Sequence, residues 1–378
     1  MSTPRPSMDL VRSATDAQVL RAFLDEERLT RAEVAVRTQL SKPTAGESVR
    51  RLTAAGLLRD TGERTRGRGR VGTYYALSDG LGTAAAISIA PQGVVAELLD
   101  VRGTVLGRAE EELQRPARPD EVAERLRAAV RRLGEGAPGP LRLAVVSAAD
   151  PVERASGRLV HLPDAPFLVG ELSPADVLAP LVDGPVLVDN DVNWAARAER
   201  AADPEPLDDF VYLYLDEGLG CAVVSDGDVR RGHRGLAGEV AHLVTWGPHG
   251  QAVAFTEVFA ALGLRQHGST AIAVDRVLEL LDEGVTSSAA RDVLVRGVCG
   301  VLAAVVALTD PAVVILGGTW GSHPLLIEEV RSRFQRSPRS VPVQAARVTD
   351  EPALRGTHGP AVDQLRAATL PGLGGTAG

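Results

Sequence analysis

Ser41, Pro43 and Gly56 bracket one short helix and leave little freedom to the residues around it. Serine caps a helix start, proline in the first turn has no intrahelical N–H to lose, and glycine stops the helix. Just upstream, Thr30-Arg31-Ala32-Glu33 fits a capping box, in which a hydroxyl and a longer polar side chain close a helix start. It predicts a second short helix, running to about Thr38. Thr15-Asp16-Ala17-Gln18 fits another box, and Val19, Leu20, Phe23 and Leu24 recur behind it at helical spacing. Along the last helix Ala45, Val49 and Leu52 share one face, while Pro43, Thr44, Glu47, Arg50 and Arg51 fall on the other. Three short helices, the last with a polar outer face, are the layout of a helix-turn-helix unit. Leu57-Leu58 and Thr73–Leu77, joined by Arg66-Gly67-Arg68-Gly69-Arg70, add a two-stranded wing.

Charge follows the same division. Residues 1–80 hold 14 Lys and Arg against 10 Asp and Glu, and the remainder holds 27 against 39. A basic head on an acidic body suits contact with a phosphate backbone through the head alone. In that reading Ser41 and Lys42 lie near phosphate. Thr44, Glu47 and Arg50 face the major groove, Arg51 joins them on the DNA-binding face, and Arg68 and Arg70 on the wing tip suit a narrow minor groove. Residues 1–80 are therefore expected to be a winged helix-turn-helix domain that binds DNA.

Residues 81–378 alternate strand and helix signals. Ala84–Ala90 and Val94–Asp100 read as paired strands, Glu121–Leu133 as an amphipathic helix, and Leu141–Val146 and Pro185–Val188 as buried strands. Phe210–Leu215 and Cys221–Ser225 form a hairpin around Gly218 and Gly220, and Arg291–Thr309 is a long apolar helix before a strand at Ala312–Leu316. Such alternation implies an α/β fold. No uninterrupted run of about 18 apolar residues occurs, which argues against a membrane span. The N-terminus lacks the apolar stretch of a signal peptide. The only cysteines, Cys221 and Cys299, sit in apolar segments and suit reduced thiols of a cytoplasmic protein.

Three stretches carry a resemblance. They are Asp189-Asn190-Asp191-Val192-Asn193-Trp194, Gly232–Gly238 running into Glu239-Val240-Ala241-His242, and Leu316-Gly317-Gly318. With the head, they resemble regulators of the ROK family (repressors, open reading frames and kinases) along nearly the whole chain. The resemblance implies a two-lobed sugar-kinase-like body of the actin/ribonuclease-H type. Lobe 1 would span about 81–188 plus a C-terminal helix at 358–369, and lobe 2 about 189–357. In kinases of the family an Asn-Asp aspartate acts as base on a sugar hydroxyl, and an Asn, a Glu, a His and a later Glu hold the other hydroxyls. The matching residues are Asn190, Asp191, Glu239, His242 and Glu257. Several carboxylates and amides around one ring of hydroxyls are also what pyranose recognition requires, because each buried polar group needs a partner.

Three departures shape the functional expectation. Where the family's Asp-x-Gly-x-Thr phosphate loop aligns, this chain reads Ser88-Ile89-Ala90-Pro91-Gln92, without the carboxylate, glycine and hydroxyl that position phosphate. The family's cysteine-rich zinc loop is replaced by Trp246-Gly247-Pro248-His249-Gly250-Gln251-Ala252, which offers too few ligands for structural zinc. Ala241 and Val71 stand where the family has glycine and proline. The resulting expectation is a cytoplasmic transcriptional regulator, a repressor of carbohydrate genes, that responds to a sugar or sugar phosphate. It would use no metal or cofactor, catalyse no reaction, and bind a pseudo-palindromic operator as a homodimer or dimer of dimers. The alternatives are an active sugar kinase with an added head, and a DNA-binding protein whose body is only a dimerisation scaffold.

Overall fold

A computed structural model describes residues 8–65, 71–162, 167–205, 207–282 and 288–370. Arg66, Arg68 and Arg70, the arginines of the wing tip, lie outside the described residues, as do residues 1–7.

The head is built from α1 (Met8–Asp25), β1 (Leu29–Thr30), α2 (Arg31–Thr38), α3 (Lys42–Ala54), β2 (Leu58–Arg64) and β3 (Thr73–Leu77). The box at Thr30 forms as the spacing predicts. Thr30 Oγ1 accepts from the Glu33 N–H (3.3 Å), and the Glu33 carboxylate accepts from the Thr30 N–H (2.7 Å). Ser41 Oγ accepts from the Thr44 N–H (3.2 Å) at the start of α3. The box expected at Thr15 does not form, because α1 already begins at Met8. No glycine or proline interrupts Met8–Asp25, so once nucleated the helix propagates through Thr15–Gln18. Asp16 instead takes a hydrogen bond from Ser48 and one from Arg51 (2.7 Å), pinning α3 to α1. Strands β1 and β2 flank β3, both antiparallel to it.

The first body sheet comprises β4 (Thr83–Ala90), β5 (Gly93–Leu99), β6 (Val105–Glu112), β7 (Leu141–Ala148) and β8 (Val186–Asn190), in spatial order β6-β5-β4-β7-β8. Helices α4 (Pro119–Gly134) and α5 (Pro174–Leu178) connect its strands. Helix α6 (Asp191–Ala202) then leads to the second sheet, made of β9 (Phe210–Leu215), β10 (Leu219–Ser225), β11 (Asp228–Val229), β14 (Val313–Gly317) and β15 (Val343–Ala345). Its order is β11-β10-β9-β14-β15, the plan of the first sheet repeated. In both sheets the first strand is antiparallel to the second and parallel to the fourth. Between β11 and β14 lie the hairpin β12 (Val244–Trp246)–β13 (Ala252–Ala254) and helices α7 (Phe255–Ala261), α8 (Val274–Asp282) and α9 (Ser288–Thr309). Helix α10 (Pro324–Phe334) connects β14 to β15, and α11 (Pro352–Thr369) closes the described chain. This is the two-lobed actin/ribonuclease-H-like body that the resemblance implies.

Helix α11 starts at Pro352, earlier than the expected 358, and packs on β4, β7 and α6. The ion pair of Glu351 with Arg108 (2.6 Å) fastens it to the first sheet, and His358 Nε2 lies 2.8 Å from the Glu97 carboxylate. Helix α9 is long and apolar enough to cross a membrane by composition alone, with a mean hydropathy of 1.9. Its face of Leu294, Val298, Val301 and Leu302 is fully buried in the core of the second lobe, which accounts for that apolarity. Cys221 is a buried free thiol and Cys299 a half-buried one. Burial pushes the Cys221 thiol up to about 12.

One buried cluster is shared by head and body. Val19, Leu20, Phe23, Val34, Val49 and Leu77 pack into the same core as Ala84, Leu99, Val101, Val362 and Leu365. Arg102, on the β5–β6 turn, donates to the carbonyls of Leu24 (3.0 Å) and Glu26 (3.2 Å) at the end of α1. A guanidinium at a helix C-terminus satisfies orphan carbonyls and complements the helix dipole.

Candidate functional site

A cleft of about 1230 Å³ opens where the strand ends of the two sheets approach each other. In sheets with this topology ligands sit beyond the carboxyl ends of the parallel strands. The cleft wall contains Gln92 from the β4–β5 turn, Asp150 after β7, Asn190 and Asp191 at the β8–α6 junction, and Asp216 and Glu217 from the β9–β10 turn. Glu239, His242 and Glu257 complete its polar lining. Asn190, Asp191, Glu239, His242 and Glu257, which the sequence singles out, thus border one space although they span residues 190–257.

Local structure explains how they get there. Asn190 caps α6, its Oδ1 accepting from the Val192 N–H (3.0 Å). Its amide donates to the carbonyls of Ala148 and Asp150 (both 3.4 Å), so it also steadies the loop that carries Asp150. Asp191 Oδ1 accepts from the same Val192 N–H (2.8 Å). The glycine-rich loop is stitched to both lobes. A Cβ on Gly238 would lie 1.7 Å from the Cys221 carbonyl oxygen, and one on Gly235 would lie 2.1 Å from that of Val152. Both glycines also hold positive φ, so only glycine brings Glu239 to the cleft along this path. Glu257, in the first turn of α7, is held by Arg265 (3.0 Å), which also donates to Thr256 (2.8 Å).

Asp150 was not legible as a site residue in the sequence. It is 2% exposed, and its Oδ2 has no hydrogen-bond partner. Burial, reinforced by the nearby charges of Asp191 and Glu239, pushes its carboxyl up to about 8. Burial lifts Asp191 to about 7 against the opposing N–H of Val192, with Glu239 adding to the rise. Glu239 reaches cleft solvent yet is walled by protein on its sides, and that desolvation raises it to about 7 as well. Three carboxyls that cannot all ionise cheaply therefore share one cleft.

The two hairpin turns beside this cluster differ. The β4–β5 turn is only Pro91-Gln92, because Ala90 pairs directly with Gly93, and it leaves no loop to wrap a phosphate. The β9–β10 turn carries Asp216, which accepts from the Thr319 N–H (2.8 Å) and hydroxyl (2.6 Å), and Glu217, which pairs with Arg115. Where the resemblance implies a zinc loop, Arg296 of α9 donates to the carbonyls of Gly247 (3.2 Å) and Pro248 (3.1 Å) and holds the segment in place. No group of three His, Cys, Asp or Glu side chains able to hold a metal converges among the described residues.

In the head, Ser41, Lys42, Thr44, Glu47 and Arg50 are exposed along α3. Glu47 and Arg50 form a two-point ion pair (2.7 and 3.0 Å). Arg51 is the exception on that face, turned back to Asp16 and half-buried.

Residues 85–359 match the ROK family. The chain belongs to the ROK family. Residues 12–69 of this ROK protein match a second family, MarR. Among curated proteins it is similar to N-acetylmannosamine kinase of Salmonella typhi, 28% identical over 293 residues that cover 72% of this chain and 96% of the kinase. A solved ROK family transcriptional regulator, a homologue of the E. coli Mlc protein, superposes with a TM-score of 0.62 at 17% identity. It covers 95% of this chain and 98% of its own. A ROK family glucokinase from Streptomyces griseus, solved with glucose and AMPPNP, superposes at 0.56 with 24% identity, over 74% of this chain and 99% of its own. At these identities the structures establish the fold alone, the regulator's over nearly the whole chain and the glucokinase's over about three quarters of it.

Proposed function

We propose that this ROK protein is a transcriptional regulator that binds operator DNA through its head and responds to a sugar held in the cleft. The observation that carries this reading is the shared core between head and first lobe. It ties α3 to a sheet whose strand ends, at Ala90, at Asn190 and just before Ala149, border the cleft. A ligand that favours one arrangement of the lobes then changes the position of α3 without any flexible relay. The extent of the change is limited by the ligand's differential affinity for the two arrangements. Asn190, Asp191, Glu239, His242 and Glu257 are proposed to hold the sugar, with Asp191 accepting from a hydroxyl. Ser41, Lys42, Thr44, Glu47 and Arg50 are proposed to meet DNA, joined by Arg68 and Arg70 of the wing. A two-fold dimer in the cytoplasm, acting as a repressor on a pseudo-palindromic site, is part of the same proposal.

The kinase alternative draws on the similarity to N-acetylmannosamine kinase and on Asp191 at the cleft floor. Against it stand the two hairpin turns. Phosphoryl transfer depends on positioned backbone N–H groups and cations around the phosphates. Pro91-Gln92 supplies no such loop, and Asp216 and Glu217 bring carboxylates instead.

The test uses duplexes selected by the protein from a randomised DNA pool. Sugars added singly should alter retention of the selected duplex, and Asp191→Ala or Glu239→Ala should blunt that response while binding DNA as the wild type does. A wild-type sugar response in both variants refutes the cleft assignment. Sugar-dependent ATP turnover that requires Asp191 refutes the regulator-only reading.

A further inference from the structure

Which kind of sugar suits this cleft is written in its charges. Asp150, Asp191 and Glu239 influence one another electrostatically, and none of the three carries an ion pair among the described residues. Of the arginines along the wall, Arg115 pairs with Glu217 and Arg265 with Glu257, while Arg276 donates to the carbonyl of Gly263 (3.1 Å). The Asp150 side chain is the most informative. It is 2% exposed, borders the cleft, and leaves Oδ2 without a donor. A buried carboxylate oxygen without a partner is costly, and the cost is removed by a ligand that brings a donor to it. A hydroxyl would satisfy the oxygen but bring no countercharge, so the three carboxyls still could not all ionise together. An ammonium group does both, since it donates three hydrogen bonds and carries the opposite charge. A metal ion is a poorer candidate, because the carboxylates do not converge as a ligand set.

We infer that the cleft selects a sugar bearing a free amine, with its ammonium against Asp150, and discriminates against phosphorylated sugars. The inference rests on the cleft being the effector site proposed above. The amine would lie against Asp150, with Asp191 and Glu239 acting through their charge at longer range and the ring hydroxyls left to Asn190 and Glu257. A phosphate extending along the cleft towards the β9–β10 turn would meet the like charges of Asp216 and Glu217, the second of which already takes up Arg115. Selectivity then arises from repulsion as well as attraction.

Calorimetric titration of the full chain at pH 7 tests this with matched probes. They are glucosamine, mannosamine and galactosamine, their hydroxyl parents, N-acetylglucosamine as a neutral amide, and glucosamine 6-phosphate. At least one amine should bind about tenfold or more tightly than its hydroxyl parent, a difference of about 1.4 kcal/mol. The acetylated and phosphorylated forms should bind more weakly than the amine. Asp150→Asn, checked for folding by its thermal midpoint, should reduce the amine preference to about threefold or less while retaining the neutral sugar. Glu239→Gln should lower it partway. Neutral or phosphorylated sugars binding as tightly as the amines would overturn the amine assignment and leave the cleft reading standing. Amine binding that survives Asp150→Asn and Asp191→Ala unchanged would overturn both, because the sugar would then sit elsewhere.

Discussion

The outer face of α3 and the floor of the cleft are both polar surfaces, yet they are held in opposite ways. On α3 the polar groups face water, and the helix is fixed by what lies beneath them: Ala45, Val49 and Leu52 in the core, and the pairing of Asp16 with Ser48 and Arg51. Thr44, Glu47 and Arg50 contribute little to folding and are available for contact. In the cleft Asp150 is buried and Asp191 is half-buried, so both cost the folded protein free energy until something binds, while Glu239 reaches cleft solvent. Two polar surfaces thus sit on one chain with separate penalties, one sensitive to salt and the other to proton concentration.

The largest effect should come from a residue at neither surface. Glu199, on α6, accepts from the N–H groups of Arg347 (2.8 Å) and Val348 (3.1 Å) and is 4% exposed. Glu199→Ala removes a buried carboxylate and its charge-assisted hydrogen bonds to two backbone N–H groups, and should lower stability by about 2–5 kcal/mol, read by denaturant unfolding. A loss below about 1 kcal/mol would mean water replaces the carboxylate.

Next is Asp150→Asn, which should stabilise. The sign follows from the raised carboxyl. In the folded protein Asp150 holds its proton up to about pH 8, while the unfolded chain gives it up near the usual aspartate value. The folded state therefore binds the extra proton across that interval, and stability falls as pH rises through it. Asparagine removes this dependence. It should gain about 1–3 kcal/mol at pH 8 and much less at pH 5, measured as thermal midpoints of both proteins across that range. A gain independent of pH would show that packing, not charge, is responsible.

The smallest and sharpest contrast lies within α3. Arg51→Ala should cost about 1 kcal/mol of stability through the lost Asp16 pair. Arg50→Ala should change stability by less than about 0.5 kcal/mol and weaken binding to a selected duplex by about 1–3 kcal/mol. If Arg50→Ala destabilises as much as Arg51→Ala, the division between exposed recognition and buried support fails.

Legibility in the sequence divides along the same line. Caps, turns and helix faces depend on neighbours a few residues away, so Thr30, Ser41 and Gly56 announce the head directly. Even there Thr15 misled, because a capping motif does not reveal that the residues before it are equally good helix formers. The body's strands were readable for the same local reason. That its two sheets repeat one strand order was not, since pairing across β9, β14 and β15 is set by tertiary contacts between distant segments. Asn190, Asp191, Glu239, His242 and Glu257 stood out only through resemblance to a family. Asp150 had no such aid: between Ala149 and Pro151 it reads as an ordinary turn residue, and nothing local tells that β7 delivers it into a closed, acidic space.

The Arg102 clasp on the end of α1 has a bearing on how such chains can be rebuilt. A head tied only by its linker could be exchanged for another like a cartridge. Here Val101 and Leu99 on one side and Phe23 and Leu77 on the other form a single interior, so cutting the chain near residue 80 would leave two raw apolar faces. Expressed alone, residues 1–80 should aggregate. A foreign head grafted onto this body would need its own donor-accepting helix end over the β5–β6 turn, and an apolar face to meet Leu99 and Val101.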